Sequence, residues 1–196
     1  LRGVETIPFA YPYNRDRGLL EDEIERLAET LGTAIAEAEI LRRTFEHLRR
    51  RLDRLDEMTW KENRISGAEN HLWLVRSSDF NGDPERYTIE LDEFLKEAEK
   101  REPAAQSVRI ACIGVPPILD DLPEVLEEYG ARVVLNEVQR QFSMPERGGD
   151  IVDQYLAYTY PYSVFHRLAF IEREIERRRV DAVVHYVQSF CHRHIE

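Results

Sequence analysis

The residues best equipped for chemistry lie near the end of the chain, in His185-Tyr186-Val187-Gln188-Ser189-Phe190-Cys191-His192-Arg193-His194. There a thiol sits among imidazoles, a guanidinium, an amide and a hydroxyl. The apolar, β-branched run from Val180 to Val187 reads as a strand that delivers this polar group at its carboxyl end, where open α/β sheets bind ligands. A thiolate at the start of a helix gains from the helix dipole and from Arg193 or a protonated histidine. Thiolate is also the form that binds iron or attacks an electrophile, so Cys191 is the candidate reactive cysteine. The plainer alternative is an inert buried thiol. A zinc site from Cys191, His192 and His194 lacks the paired spacing that structural zinc favours. Cys112, inside the apolar run Val108 to Val115, reads as core filler.

Other groups rank lower. Asn136-Glu137-Val138-Gln139-Arg140 follows a second apolar run, and Glu137 and Arg140 either pair, line the same crevice or simply solvate a loop. Tyr11-Pro12-Tyr13 and Tyr160-Pro161-Tyr162 read as aromatic-proline pins for loops rather than as catalytic phenols. Arg177-Arg178-Arg179 reads as a solvated helix end, where positive charge suits the dipole, with a phosphate site as the alternative. The position after the first strand reads Gly114-Val115-Pro116-Pro117-Ile118, which is not the glycine fingerprint of a dinucleotide site. Motifs for a phosphate-binding loop, a nucleophile elbow or a zinc protease helix are missing as well.

Composition narrows the classes further. The 196 residues carry 27 Lys and Arg against 38 Asp and Glu, a formal charge of −11, which argues against nucleic acid or an anionic membrane as partner. No stretch approaches eighteen apolar residues and Leu1 to Ala10 does not resemble a signal peptide, so a soluble, cytoplasmic protein is expected. Two cysteines cannot build a disulfide framework and suit a reducing compartment.

The elements that must position Cys191 follow from apolar spacing. Val4 to Pro12 reads as an extended arm or edge strand. Leu20, Ile24, Leu27 and Leu31 share one helical face, and Gly32 marks a break. Leu41, Phe45, Leu48, Leu52 and Leu55 predict a second amphipathic helix, Ser66 to Arg76 another, and Tyr87 to Arg101 a third pattern after the Asn81-Gly82-Asp83-Pro84 turn. From Ser107 the character changes to strand 108–115, helix 118–129, strand 131–135, helices 150–158 and 163–179, and strand 180–187. That order predicts right-handed crossovers and a parallel sheet. The expected architecture is therefore an α/β, Rossmann-like parallel sheet of three strands within 105–196, preceded by an arm and mostly helical region over 1–104. So small a parallel sheet, in a chain that opens on Leu1, reads as a piece of a longer polypeptide.

Four segments, in order, carry a family resemblance: Ile65-Ser66-Gly67; Arg109-Ile110-Ala111-Cys112-Ile113-Gly114-Val115-Pro116; Glu127-Glu128-Tyr129-Gly130-Ala131-Arg132-Val133-Val134; and Val180-Asp181-Ala182-Val183-Val184 running to Phe190-Cys191. Together they resemble the iron-sulfur subunits of 2-hydroxyacyl-CoA dehydratases and benzoyl-CoA reductases, a family that includes the double-cubane cluster proteins. The resemblance implies Rossmann-like lobes with a helical insertion, a cysteine-held cluster of 4Fe-4S or double-cubane type between lobes, and a homologous subunit or second lobe. It also implies an ATP-hydrolysing iron-sulfur activator that supplies low-potential electrons, and an acyl-CoA or other small substrate. In the dehydratases a reduced cluster passes one electron to the thioester carbonyl, and the ketyl so formed expels the hydroxyl.

Cys191 matches the last cluster cysteine of the family pattern and inherits the role of iron ligand, with Gln188, Ser189 and His192 placed to tune the sulfur atoms by hydrogen bonding. The chain departs from the pattern after its second strand, where Asn136 to Arg140 holds no cysteine. Another family cysteine falls upstream of Leu1. Cuboidal clusters take about four thiolates, so the alternative is a divergent, non-catalytic interaction subunit that has lost the standard cluster.

Overall fold

The structure, a computed structural model, describes residues 5–105, 108–119 and 121–188. Among these, the residues of Leu1–His47 and Glu146–Leu168 form one compact unit and those of Leu48–Pro145 and Ala169–Glu196 another. The two interleave along the chain, whereas the boundary at 104 read from the sequence follows only the change from helix to strand.

The first unit is helical. Asp16 caps α1 (Arg17–Thr30) by accepting from the Leu19 amide at 3.0 Å, and α2 spans Ile35–Thr44. A reciprocal Asp150/Asp153 capping box starts the short α8 (Ile151–Leu156). Leu20, Ile24 and Val152 are buried together beneath Phe9, Tyr11, Ile35, Ile151, Tyr155 and Leu156. Tyr11 stacks on Tyr155 and meets Tyr162 edge-on, and the Tyr162 hydroxyl donates to the Tyr155 carbonyl at 2.8 Å. The proline-flanked tyrosines therefore pin the extended arm, as their spacing suggests. Leu31, expected on the buried face of α1, ends the helix and is 64% exposed; Ala28 takes the buried place.

The predicted helix through Leu41 and Leu55 is two helices. The chain breaks at Phe45 between α2 and α3 (Glu46–Trp60), close to the point where it leaves the first unit for the second. Leu48, Leu52 and Leu55 are buried, while Leu41 is exposed. One apolar stripe in the sequence thus serves two different surroundings.

The second unit holds the sheet. After α3 come α4 (Gly67–Arg76), a 3-10 turn at Phe80–Gly82 and α5 (Pro84–Glu99). Then follow β1 (Val108–Gly114), α6 (Leu122–Glu128), β2 (Ala131–Asn136), α7 (Glu137–Phe142) and, beyond the latter part of α9 (Val164–Arg178), β3 (Ala182–Tyr186). All pairs are parallel, in the order β2-β1-β3, with Cys112 level with Asn136 on one side and Val184 on the other. This is the α/β sheet that the strand-helix-strand order predicts.

β2 is the most enclosed strand, with Val133, Val134 and Leu135 buried, whereas β1, expected to be covered on both faces, buries Ile110, Ala111 and Gly114 and leaves Cys112 and Ile113 half-buried. The helix predicted over 118–129 is shorter: Ile118 and Leu119 are not helical, and α6 starts at Leu122 with Pro123 in its first turn. Gly67 fixes the approach of α4 to the sheet: a Cβ there would lie 2.5 Å from the Val133 Cβ.

In the arginine run at the end of α9, Arg177 and Arg179 are exposed, as expected of a solvated helix end, while Arg178 is not. Arg178 is 0% exposed and grips the Asp56 carboxylate of α3 with both terminal nitrogens, at 2.9 and 2.5 Å. Its Nε donates to Glu174 at 2.9 Å and its Nη1 to the Val134 carbonyl of β2 at 2.6 Å. Arg140, expected in a loop, instead lies on α7 and donates to the same Asp56 at 3.1 Å. Burial pushes the Asp56 carboxyl up, but Arg178 and then Arg140 outweigh it and leave its pKa below the ordinary value. This network ties α3, α7, α9 and β2 together inside one unit.

Candidate functional site

Three carboxyl ends meet at one edge of the sheet: Gly114-Val115-Pro116-Pro117 after β1, Asn136 to Gln139 after β2, and Val187-Gln188 after β3. The chain passes from β1 to β2 on one side and returns to β3 on the other. The space beyond β1 and β3 is therefore the switch point, the place where sheets of this order bind ligands. Gly114 is required there: its φ is +92°, and a Cβ would fall 2.2 Å from the Tyr186 carbonyl oxygen. The close pairing of Gly114 with Tyr186 aims the chain at Gln188, which is half-buried. Ser189, Cys191 and His192, the other expected site residues, lie outside the described residues.

The end of β2 is a closed polar network. Asn136 is the N-cap residue of α7, yet its side chain does not cap that helix. Its Nδ2 donates instead to the Gly67 carbonyl and to Asn70 Oδ1, both at 2.9 Å. Asn70 Nδ2 donates to Thr59 Oγ1 at 3.2 Å, and Thr59 donates to the Leu55 carbonyl at 2.9 Å. All three side chains are buried. Glu137 is fully buried, so Glu137 and Arg140 are interior groups on a helix and not loop solvation.

Beside the network, Gln139 Nε2 lies 2.8 Å from His71 Nδ1. His71 lines a cleft of about 400 Å³ with Ala68, Glu69, Leu72, Pro117, Leu119, Pro123 and Glu124. Nothing in the spacing of Asn70, His71 and Gln139 along the sequence marks them as neighbours of a site. Asn70 and His71 are ordinary polar residues of α4 and Gln139 belongs to the short, buried α7, and only the packing of α4 across β2 brings them to the edge.

The family model for the 2-hydroxyglutaryl-CoA dehydratase D-component matches residues 2–195. The chain belongs to that family. No curated protein matches it. As a D-component family member it is a component of a 2-hydroxyacyl-CoA dehydratase-like enzyme. Among the described residues, no helix is long and apolar enough to cross a membrane.

The D-component family implies an iron-sulfur cluster, and the residues at this edge do not by themselves fit one. Among the described residues no group of three or more His, Cys, Asp or Glu is placed to hold a metal. Cys112 is the one cysteine described, and burial pushes its thiol pKa up to about 11, which keeps it protonated at neutral pH. Asn136 stands level with it, its amide spent on Gly67 and Asn70. The whole sequence adds only Cys191, short of the roughly four thiolates that hold a cuboidal cluster.

Proposed function

We propose that this chain is a subunit of an oxygen-sensitive enzyme of the 2-hydroxyacyl-CoA dehydratase and benzoyl-CoA reductase type. In this reading Cys191 contributes one thiolate to an iron-sulfur cluster, 4Fe-4S or double-cubane, whose other ligands come from outside this stretch. The observation that carries it is the switch point: the Gly114–Tyr186 pairing directs β3 into Gln188, three residues before Cys191. Gln188, Ser189 and His192 are then the local groups available to hydrogen-bond sulfur and tune its potential. When bound, the cluster supplies one-electron chemistry; the chain's own part is to position a ligand at the sheet edge and to hold an acyl-CoA or other small substrate. Low-potential electrons come from an ATP-hydrolysing activator, and a homologous subunit or second lobe completes the site. We place the assembly in the cytoplasm.

The test is iron and acid-labile sulfide content after strictly anaerobic purification with the partner subunit. Wild type carrying both, with a Cys191→Ser variant losing them, supports the reading. A colourless, metal-free wild type sinks it.

A second reading has its own observation. The Asn136 network makes the end of β2 a structural joint where the family pattern has a cysteine. That arrangement suits a divergent interaction subunit paired with a catalytic partner, and the metal-free outcome selects it.

A further inference from the structure

Around the cleft lined by Leu72 and Leu119 the second unit leaves an apolar face open. Ile118 and Leu119 of the β1–α6 connection are 73% and 53% exposed, and Leu72 of α4 and Val125 of α6 are exposed as well. Leu72 and Leu119 share the cleft with Ala68, Pro117 and Pro123, so the elements present one surface. Apolar surface left open in this way marks a contact site. We propose that this face docks a partner protein through apolar side chains surrounded by lysine and arginine. The occupant is the partner subunit, a choice that rests on reading the chain as one subunit of a larger enzyme.

Charge selects the partner. From Ala111 to Ala131 the sequence holds Asp120, Asp121, Glu124, Glu127 and Glu128 and no Lys or Arg. Asp121, Glu124 and Glu128 are exposed, and among the described residues none of the three is in an ion pair. The neighbouring carboxylates are already satisfied: Glu127 by Arg132 at 3.1 Å and the Gly67 amide at 3.0 Å, and Glu69 by Arg101 at 2.8 and 2.9 Å. Arg76, one turn beyond Leu72, lies over the Trp73 ring and lines a separate hollow with Asn81 and Asp83. The face is therefore apolar at its centre and negative along α6, and Lys or Arg on the partner would steer and hold it. A second copy fits badly, because pairing the same face across a two-fold axis sets the α6 carboxylates against each other. Nucleic acid and anionic membranes meet the same repulsion. A small molecule confined to the cleft would leave Ile118 and Val125 open.

The test uses the complex purified anaerobically with the partner subunit. Amide exchange over residues 118–129 should be about tenfold slower in the complex than in the full chain alone. A zero-length carbodiimide should join Asp121, Glu124 or Glu128 to a lysine of the partner subunit. Ile118→Asp, at an exposed position, should keep the wild-type melt and weaken association at least about tenfold, by setting a charge in the apolar centre. Leu119→Asp repeats the test if Ile118→Asp does not fold. Four outcomes would each overturn the proposal: unchanged exchange over 118–129 in the assembled complex, cross-links only at other carboxylates, an Ile118→Asp chain that assembles like wild type, or exchange that slows when the chain alone is concentrated, which points to a second copy. A complex that carries iron and sulfide but leaves this face open sinks the docking face alone. A metal-free complex that covers the face sinks the cluster reading alone.

Discussion

Arg178, the last residue of α9, and Asp56, within α3, form a two-pronged ion pair with no exposure at the arginine. Arg140 and Glu174 complete the cluster, and the Val134 carbonyl takes another of Arg178's donors. Removing one partner leaves the others charged and dry. Arg178→Met should therefore lower stability by about 3–5 kcal/mol, the cost of stranding a buried charge. Urea unfolding checks it, and a double-mutant cycle with Asp56→Asn should return a coupling well above that of an exposed pair.

The same cluster fixes the acid limit of the fold. Burial raises the Asp56 and Glu174 carboxyls, but the neighbouring arginines prevail, and both titrate below their ordinary values. A depressed folded pKa contributes stability that is complete above the unfolded value of about 4 and is lost as pH falls through the folded one. The urea midpoint should stay level from pH 7 to about 5 and then fall. An Asp56→Asn/Arg178→Met variant should start lower and lose less on acidification. A wild-type midpoint that holds steady down to pH 3 would count against a charged interior.

This cluster marks where the sequence stops being readable. Strand order and the turn at Asn81 to Pro84 rest on local chemistry, apolar β-branched runs and Asp83 capping a helix with Pro84 in its first turn, and the structure has both. Arg178 and Arg140 look like surface charge because their partner, Asp56, is more than eighty residues away. Asn136 looks like a loop residue because the groups it satisfies, Gly67 and Asn70, belong to a helix from the other half of the chain. Spacing along one element reveals a face; it does not reveal what a distant element brings to it. Cys191 stands out by its neighbours in sequence, and the structure describes the chain that leads toward it from β3 as far as Gln188.

Gly114 should tolerate no side chain. Its positive φ and the 2.2 Å approach of a Cβ to the Tyr186 carbonyl strain the backbone and separate β1 from β3. Gly114→Ala should cost roughly 1–3 kcal/mol from backbone strain alone. Hydrogen exchange should place the opening at β3, with Val184 to Tyr186 losing protection before Val133 to Leu135. Uniform loss across all three strands would show that the glycine supports the whole sheet rather than this pairing.

Cys112 should be sluggish as a nucleophile. Burial lifts its thiol from 9.0 to about 11, so near pH 8 the thiolate population falls about a hundredfold relative to an unshifted thiol. Iodoacetamide should alkylate Cys112 in the native chain about a hundred times more slowly than in urea, as read by peptide mass spectrometry. Rapid native labelling would mean that the sheet opens there.

Asn136 offers the sharpest division between the two functional readings. Asn136→Ala removes the donor to Gly67 and Asn70 in a buried network and should cost about 1–3 kcal/mol. Asn136→Cys places a thiol at the end of β2, but it also strands the same acceptors. It should lower the urea midpoint as the alanine does and leave the iron content of the anaerobically purified complex unchanged. A rise in iron and sulfide in Asn136→Cys alone would instead mean that this edge is a cluster site lacking a single ligand. The joint made by Asn136, Asn70 and Thr59 would then be a replacement for metal ligation and not a barrier to it.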